Sequence, residues 1–253
     1  MTDAASDSPR PDAPIPGQDR AAALIVLMIL GMVVLGLCVL LPVAVPALQS
    51  SRETARLAAC QARLKDVALA STAWSEQPGL FHPPQLGQPP VSWRVGIAEP
   101  LDGVPVGAYD PAAAWDDPVN KPLTEQTPQP YLCPSSAREA GLANFVYATG
   151  PVTLWAADDA AERLQRIGLS YRLLAVERAH AEPYWTQPSD TPGDWQPRVD
   201  VLPIEGNPLL SSAHPAGAHG ALFDGRVQVW NVDTDTEVIE TLTSPTVPDV
   251  GEF

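Results

Sequence analysis

The chain has 253 residues, a formal net charge of -15 and 29 prolines, room for a tail, an anchor and one sizeable domain. Beyond residue 77, nine basic residues stand against 23 acidic ones. Such a surface repels phosphate backbones and argues against nucleic acid as a partner. Three cysteines are too few for a disulfide scaffold.

Residues 1–20 are polar and proline-rich with no apolar period, the pattern of a disordered tail. Their net negative charge, and the length of the apolar run that follows, do not fit a secretory signal. From Ala21 to Ser51 there is no charged residue. A bilayer core needs about 20 apolar residues in a helix, so residues 21–48 form a transmembrane anchor. Pro42 and Pro46 either kink this helix or end it, with Ser50 or Ser51 and Glu53 starting a second one. Cys38, inside the run, packs as a small hydrophobe.

Residues 49–77 form an amphipathic stem. Leu57, Cys60, Leu64, Val67, Ser71 and Trp74 recur at steps of three and four, one side of a helix. Beyond it, residues 78–253 form a loop-rich domain, with thirteen prolines between Pro78 and Pro134. Strands are expected at Ser92–Ala98, Asn144–Thr149, Val152–Trp155, Leu169–Glu177 and Arg198–Leu202, and a short helix at Asp158–Arg166. Asp224-Gly225, between two apolar runs, predicts a two-residue hairpin. A long helix followed by antiparallel strands gives an α+β layering in which the sheet covers the stem.

Chemistry-bearing residues are sparse. His214 and His219, with Asp224, offer three metal donors, but no paired C-x-x-C or helical H-x-x-x-H supports them; no metal and no cofactor are assigned. Ser211 and Ser212 lie beside His214 without a nucleophile elbow, so no catalytic residue is assigned and the chain reads as a non-enzyme. The Asp- and Thr-rich run Asn231–Glu240 lacks the glycine and glutamate of a calcium loop. Seven tryptophans are either core filling or a sugar platform. Cys60 and Cys133 either pair in a disulfide, if the domain is extracytoplasmic, or remain separate buried thiols.

Four stretches match the pattern of one known family. Residues 41–70 are similar to its anchor-to-stem signature at Leu41, Pro42, Gln49, Arg52, Glu53, Ala55, Arg56, Cys60, Leu64, Lys65, Leu69 and Ala70. Ser92-Trp93-Arg94-Val95, the Trp115–Asn120 run and Tyr131–Ser135 resemble its S-W-R-V, W-D-x-P-x-N and Y-x-C-P-S elements. Glu177, Trp185, Pro188 and Asp190 match its V-V-E and P-W-T-K-P-E-D run, and His214 through Asp224-Gly225 gives the H-x(9)-D-G spacing. The family so resembled is that of the prepilin-like proteins with a C-terminal H-x(9)-D-G motif.

The resemblance implies a type IV pilin-like fold, a long N-terminal helix on an antiparallel sheet with long Pro-rich loops. It also implies a cytoplasmic N-terminus and an extracytoplasmic domain at the inner membrane, as in pseudopilins of type II secretion. The basic residues flanking the anchor, two before and four after, favour the opposite topology. The family's processing junction is degenerate: Gly17 precedes Gln18-Asp19-Arg20, and the anchor holds no glutamate. The resulting expectation is a single-pass pilin-like protein, a structural or interaction component of a secretion or envelope system. Its partners would be lipid and other pilin-like subunits or secretion-system proteins. The rival is an anchored module that binds a glycan or a divalent cation.

Overall fold

The computed structural model describes residues 18–74, 85–136, 140–149, 171–180, 183–190 and 194–244. The tail, the expected strand at Val152–Trp155 and the expected helix at Asp158–Arg166 lie outside the described residues, apart from the last residues of the tail. The chain divides into two compact units, Met1–Arg52 and Glu53–Phe253.

A single helix, α1 (Gln18–Trp74), runs through the apolar segment and the stem with Pro42 and Pro46 inside it. No second helix starts at Ser50. Each proline removes one donor from the ladder, and the Ser50 and Ser51 hydroxyls just beyond donate to the Ala47 carbonyl at 2.9 Å. In the first unit the apolar side chains from Leu24 to Leu48 are exposed. The most apolar stretch of α1 has a mean hydropathy of 3.2 and no charge to offset it.

In the second unit the later turns of α1 lie on a four-stranded antiparallel sheet, the α+β pilin-like architecture. The sheet comprises β3 (Phe145–Tyr147), β4 (Leu173–Glu177), β7 (Ala218–Leu222) and β8 (Val227–Trp230), in spatial order β3-β4-β7-β8. Alternation along the strands builds two cores. Phe145, Tyr147, Leu174, Ala175 and Ala221 face Cys60, Leu64, Val67, Ala68 and Ala70 of the stem. Val146, Leu173, Val176, Ala218, Leu222 and Trp230 form the second core with residues of β5 (Gln196–Val201), β6 (Pro208–Ser212) and α4 (Thr236–Thr243). A register shift between Leu173 and Ala175 puts Leu174 and Ala175 on the same side. β5 and β6 pair in parallel as a separate two-stranded sheet.

Two local expectations need correction. Ser92–Ala98 is not a strand: only Val91–Ser92 (β2) pairs, with Gln85–Leu86 (β1), and Trp93–Gly96 turns into a short helix, α2. Ser92 caps it, its hydroxyl oxygen accepting from the Arg94 amide at 3.3 Å. Trp93, Arg94 and Val95 are all buried, and the cap together with the Ile97 amide donating to the Trp93 carbonyl at 2.9 Å turns them into a helix. The β7–β8 hairpin forms at Asp224-Gly225, but its turn is longer than two residues. The Gly225 amide donates to the Leu222 carbonyl at 3.0 Å and the Leu222 amide to the Arg226 carbonyl at 2.8 Å. A two-residue I′ turn needs positive φ at both central positions; here Gly225 has φ +80°, and among the described residues no residue other than glycine has positive φ.

The proline-rich loops are held by buried side chains. Arg94 donates twice to the Phe145 carbonyl, at 3.0 and 2.8 Å, and pairs with Asp190 at 2.7 Å with both side chains fully buried. Asp190 also accepts from the Trp93 indole at 2.5 Å and the Tyr147 amide at 2.6 Å. Asn120 spans Asp110 and Ala114, and Trp185 donates to the Leu123 carbonyl at 2.9 Å. A short helix, α3 (Lys121–Thr124), is tied in by Thr124 and Thr186, 2.7 Å apart.

Candidate functional site

Where the stem meets the loops and the sheet, four donors from four segments converge: Cys60 of α1, Cys133 of the Tyr131–Ser135 run, Glu177 at the end of β4, and His214 between β6 and β7. Their ligand atoms all lie within 4.8 Å of one another, and all four residues are buried. Each is there for a local reason. Cys60 sits on the buried side of the stem with Leu64 and Val67, while Leu57, a turn earlier, is only half-buried. The Cys133 amide donates to the Asn144 side chain at 3.0 Å, which fixes that loop against β3. Glu177 ends a strand whose five residues are all buried. The His214 amide donates to Ser212 Oγ at 3.0 Å, and Gly217 accepts a φ of +130° to bring the chain into β7.

The surrounding groups orient the donors. His214 Nδ1 lies 2.5 Å from Glu53 Oε1, which leaves Nε2 facing Cys133 Sγ at 3.3 Å. Glu177 Oε1 accepts from the Ser212 hydroxyl at 2.9 Å. Its Oε2 takes the His219 amide at 3.2 Å and stands 2.5 Å from His219 Nδ1. His219 Nε2 is buried without a hydrogen-bond partner. The two imidazoles meet edge to face, 5.2 Å between centroids.

The groups of the cluster shift one another's protonation. The Cys133 sulfur is held low, first by the hydrogen bond from Cys60 and then, against burial, by His214. That same hydrogen bond, with burial, drives the Cys60 thiol up. Burial pulls His214 down, but hydrogen bonds to Cys133 and Glu53 outweigh it and lift the imidazole to about 9. Burial raises the Glu177 carboxyl, opposed by the hydrogen bond from His219. Two thiols, an imidazole and a carboxylate at this spacing have two chemistries open to them. They can hold a cation, or the thiols can join as a disulfide; in this structure both are free.

The residues singled out in the sequence are thus distributed unevenly. His214, Cys60 and Cys133 come together. Asp224 does not join them: its carboxylate accepts from the Arg226 amide at 3.0 Å and pairs with the Arg226 guanidinium at 2.6 Å, bracing the turn that Gly225 completes. Ser212 serves Glu177, and Ser211 accepts from the Ala179 amide at 3.1 Å, so neither is aimed as a nucleophile at His214. Trp93, Trp185, Trp195 and Trp230 are buried and offer no sugar platform. Glu177 and Glu53 were not picked out as site residues. Their only signal was that both fall on matched positions of the family pattern.

Residues 49–170, just under half of the chain, match the model of a family described as a protein of unknown function (DUF1559). The chain is similar to that family from the stem into the loops. The match includes Glu53, Cys60 and Cys133, and stops short of Glu177 and His214. No curated protein and no solved structure matches the chain.

Proposed function

We propose that this is a single-pass membrane protein that displays an acidic, pilin-like domain on the outer side of the cytoplasmic membrane and works through contact with other proteins. The observation that carries the reading is in α1. Residues 21–51 hold no charge and expose their hydrocarbon, and the same helix goes on as the buried spine of an α+β domain. Exposed apolar surface of that extent is unstable in water and at home in lipid. The pilin-like layering and the four-part resemblance favour the outward orientation over the one that flanking charge favours. Partners of this reading are lipid, and other pilin-like subunits or components of a secretion or envelope system. The acidic domain argues against nucleic acid. No catalytic step is assigned to the chain.

The reading has a direct test on the full chain in its native membrane. It should resist alkaline extraction, be trimmed by protease added outside spheroplasts, and keep its apolar segment on mass analysis. A mature chain starting near Gln18 with a methylated amine would make it a processed pseudopilin. Release of a soluble domain lacking residues 1–51 would overturn the anchor, and protection from external protease would overturn the orientation.

A further inference from the structure

We propose that Cys60, Cys133, Glu177 and His214 form a structural zinc site that staples the stem helix to the sheet. The donor set and its spacing carry the inference. Metal–donor lengths of about 2.0–2.3 Å and tetrahedral angles separate neighbouring donors by about 3.3–3.8 Å. The four ligand atoms already lie within 4.8 Å of one another, and Cys133 Sγ stands 3.3 Å from His214 Nε2. Drawing the most separated donors in to a tetrahedral edge takes side-chain movements of about 1 Å.

The chemistry selects the ion. Two sulfurs, one imidazole and one carboxylate are a soft-to-borderline set that suits zinc and rejects calcium and magnesium, which want six or more oxygens. With four protein donors, all buried, there is no open position for substrate. That is the arrangement of a structural rather than a catalytic zinc.

The second ring of contacts is independent of the donors' spacing and points the same way. Zinc-bound histidines nearly always give their other ring nitrogen to a carboxylate or carbonyl, which fixes the tautomer and aims the free nitrogen at the metal. Glu53 does this for His214, at 2.5 Å from Nδ1. Ser212 and His219 hold the two oxygens of Glu177. The set His214, His219 and Asp224 does not make this site, because Asp224 is spent on the hairpin.

The test uses the full chain with Cys38→Ser, purified in detergent from cells grown with zinc. Elemental analysis should find one zinc per chain. Exchange for cobalt should give thiolate-to-cobalt charge transfer in the near ultraviolet and the visible bands of a tetrahedral centre. Cys60→Ser and Cys133→Ser should each weaken the charge-transfer band and lower metal content. Should a serine variant fail to fold, Glu53→Gln keeps every donor and the core; it should retain the cobalt spectrum while binding zinc about 10–100-fold more weakly. Unchanged zinc affinity in Glu53→Gln would overturn its positioning role. Two outcomes overturn the site itself: a folded chain with alkylatable Cys60 and Cys133 that takes up no zinc or cobalt, or a native chain lighter by two hydrogens with those cysteines joined.

Discussion

Asp190 shows how much one buried residue does here. It is the counter-ion of Arg94 and the acceptor for the Trp93 indole and the Tyr147 amide, all inside the core. Burial raises its carboxyl and the Arg94 charge opposes that. Asp190→Asn keeps the shape and one acceptor oxygen but leaves the guanidinium buried without its partner. Breaking a buried pair this way costs about 3–5 kcal/mol, so urea denaturation should show a loss of that size; an unchanged midpoint would mean the pair contributes nothing. The glycines of the histidine turn and the hairpin separate two other effects. A Cβ at Gly217 would sit 2.2 Å from the Trp230 carbonyl oxygen, whereas one at Gly225 would meet only the tip of Leu69, at 2.9 Å. Gly225→Ala should therefore cost about 1–2 kcal/mol, the left-handed backbone penalty alone. Gly217→Ala should cost clearly more, because backbone cannot step aside as a leucine tip can. Equal losses in thermal melts would contradict that distinction.

At the scale of elements, the stem tells which parts of the fold were legible. Its stripe was readable because a helix repeats every 3.6 residues; in the structure Cys60, Leu64 and Val67 are fully buried, with Leu57 at the margin. Leu64→Ala should then lose about 2–5 kcal/mol as a core truncation, and Leu57→Ala much less. Because the sheet consumes Leu64 and Val67, any lateral association of stems would have to use other residues, and a charge at Leu64 should unfold the domain rather than dissociate an assembly. Analytical ultracentrifugation beside circular dichroism distinguishes the two outcomes. The α2 segment was misread for the opposite reason: three consecutive buried residues have no period, and the Ser92 cap decides for helix. Asp-Gly announced the hairpin, but the turn's length depends on Gly225 alone having positive φ, which composition does not distinguish from a two-residue loop.

The whole molecule explains why no local motif in the sequence marks the buried cluster. Cys60, Cys133, Glu177 and His214 come from a helix, a proline-rich loop, a strand end and a turn. No local spacing links them; the pairing of β4 with β7, the packing of α1 and the tether from Cys133 to Asn144 bring them together. The same dispersion gives a bound ion leverage over stability. A metal that bridges four distant segments binds only the folded arrangement, so its binding free energy adds to folding. Without it, the stem is held to the sheet mainly by one apolar stripe, and two buried thiols share space with a buried carboxylate. The unit from Glu53 onward is compact by itself, so a chain beginning there should fold in water without detergent. Its melting temperature should fall when zinc is stripped by a strong chelator and recover on adding back zinc but not calcium. At zinc 100-fold above its dissociation constant the stabilisation should be about 2.7 kcal/mol. The Glu53→Gln form of that unit should need more zinc for the same gain, because its His214 is less firmly aimed. Chelator-insensitive melting of a reduced, folded domain would leave the apolar stripe as sufficient tether, and the cluster as ordinary core.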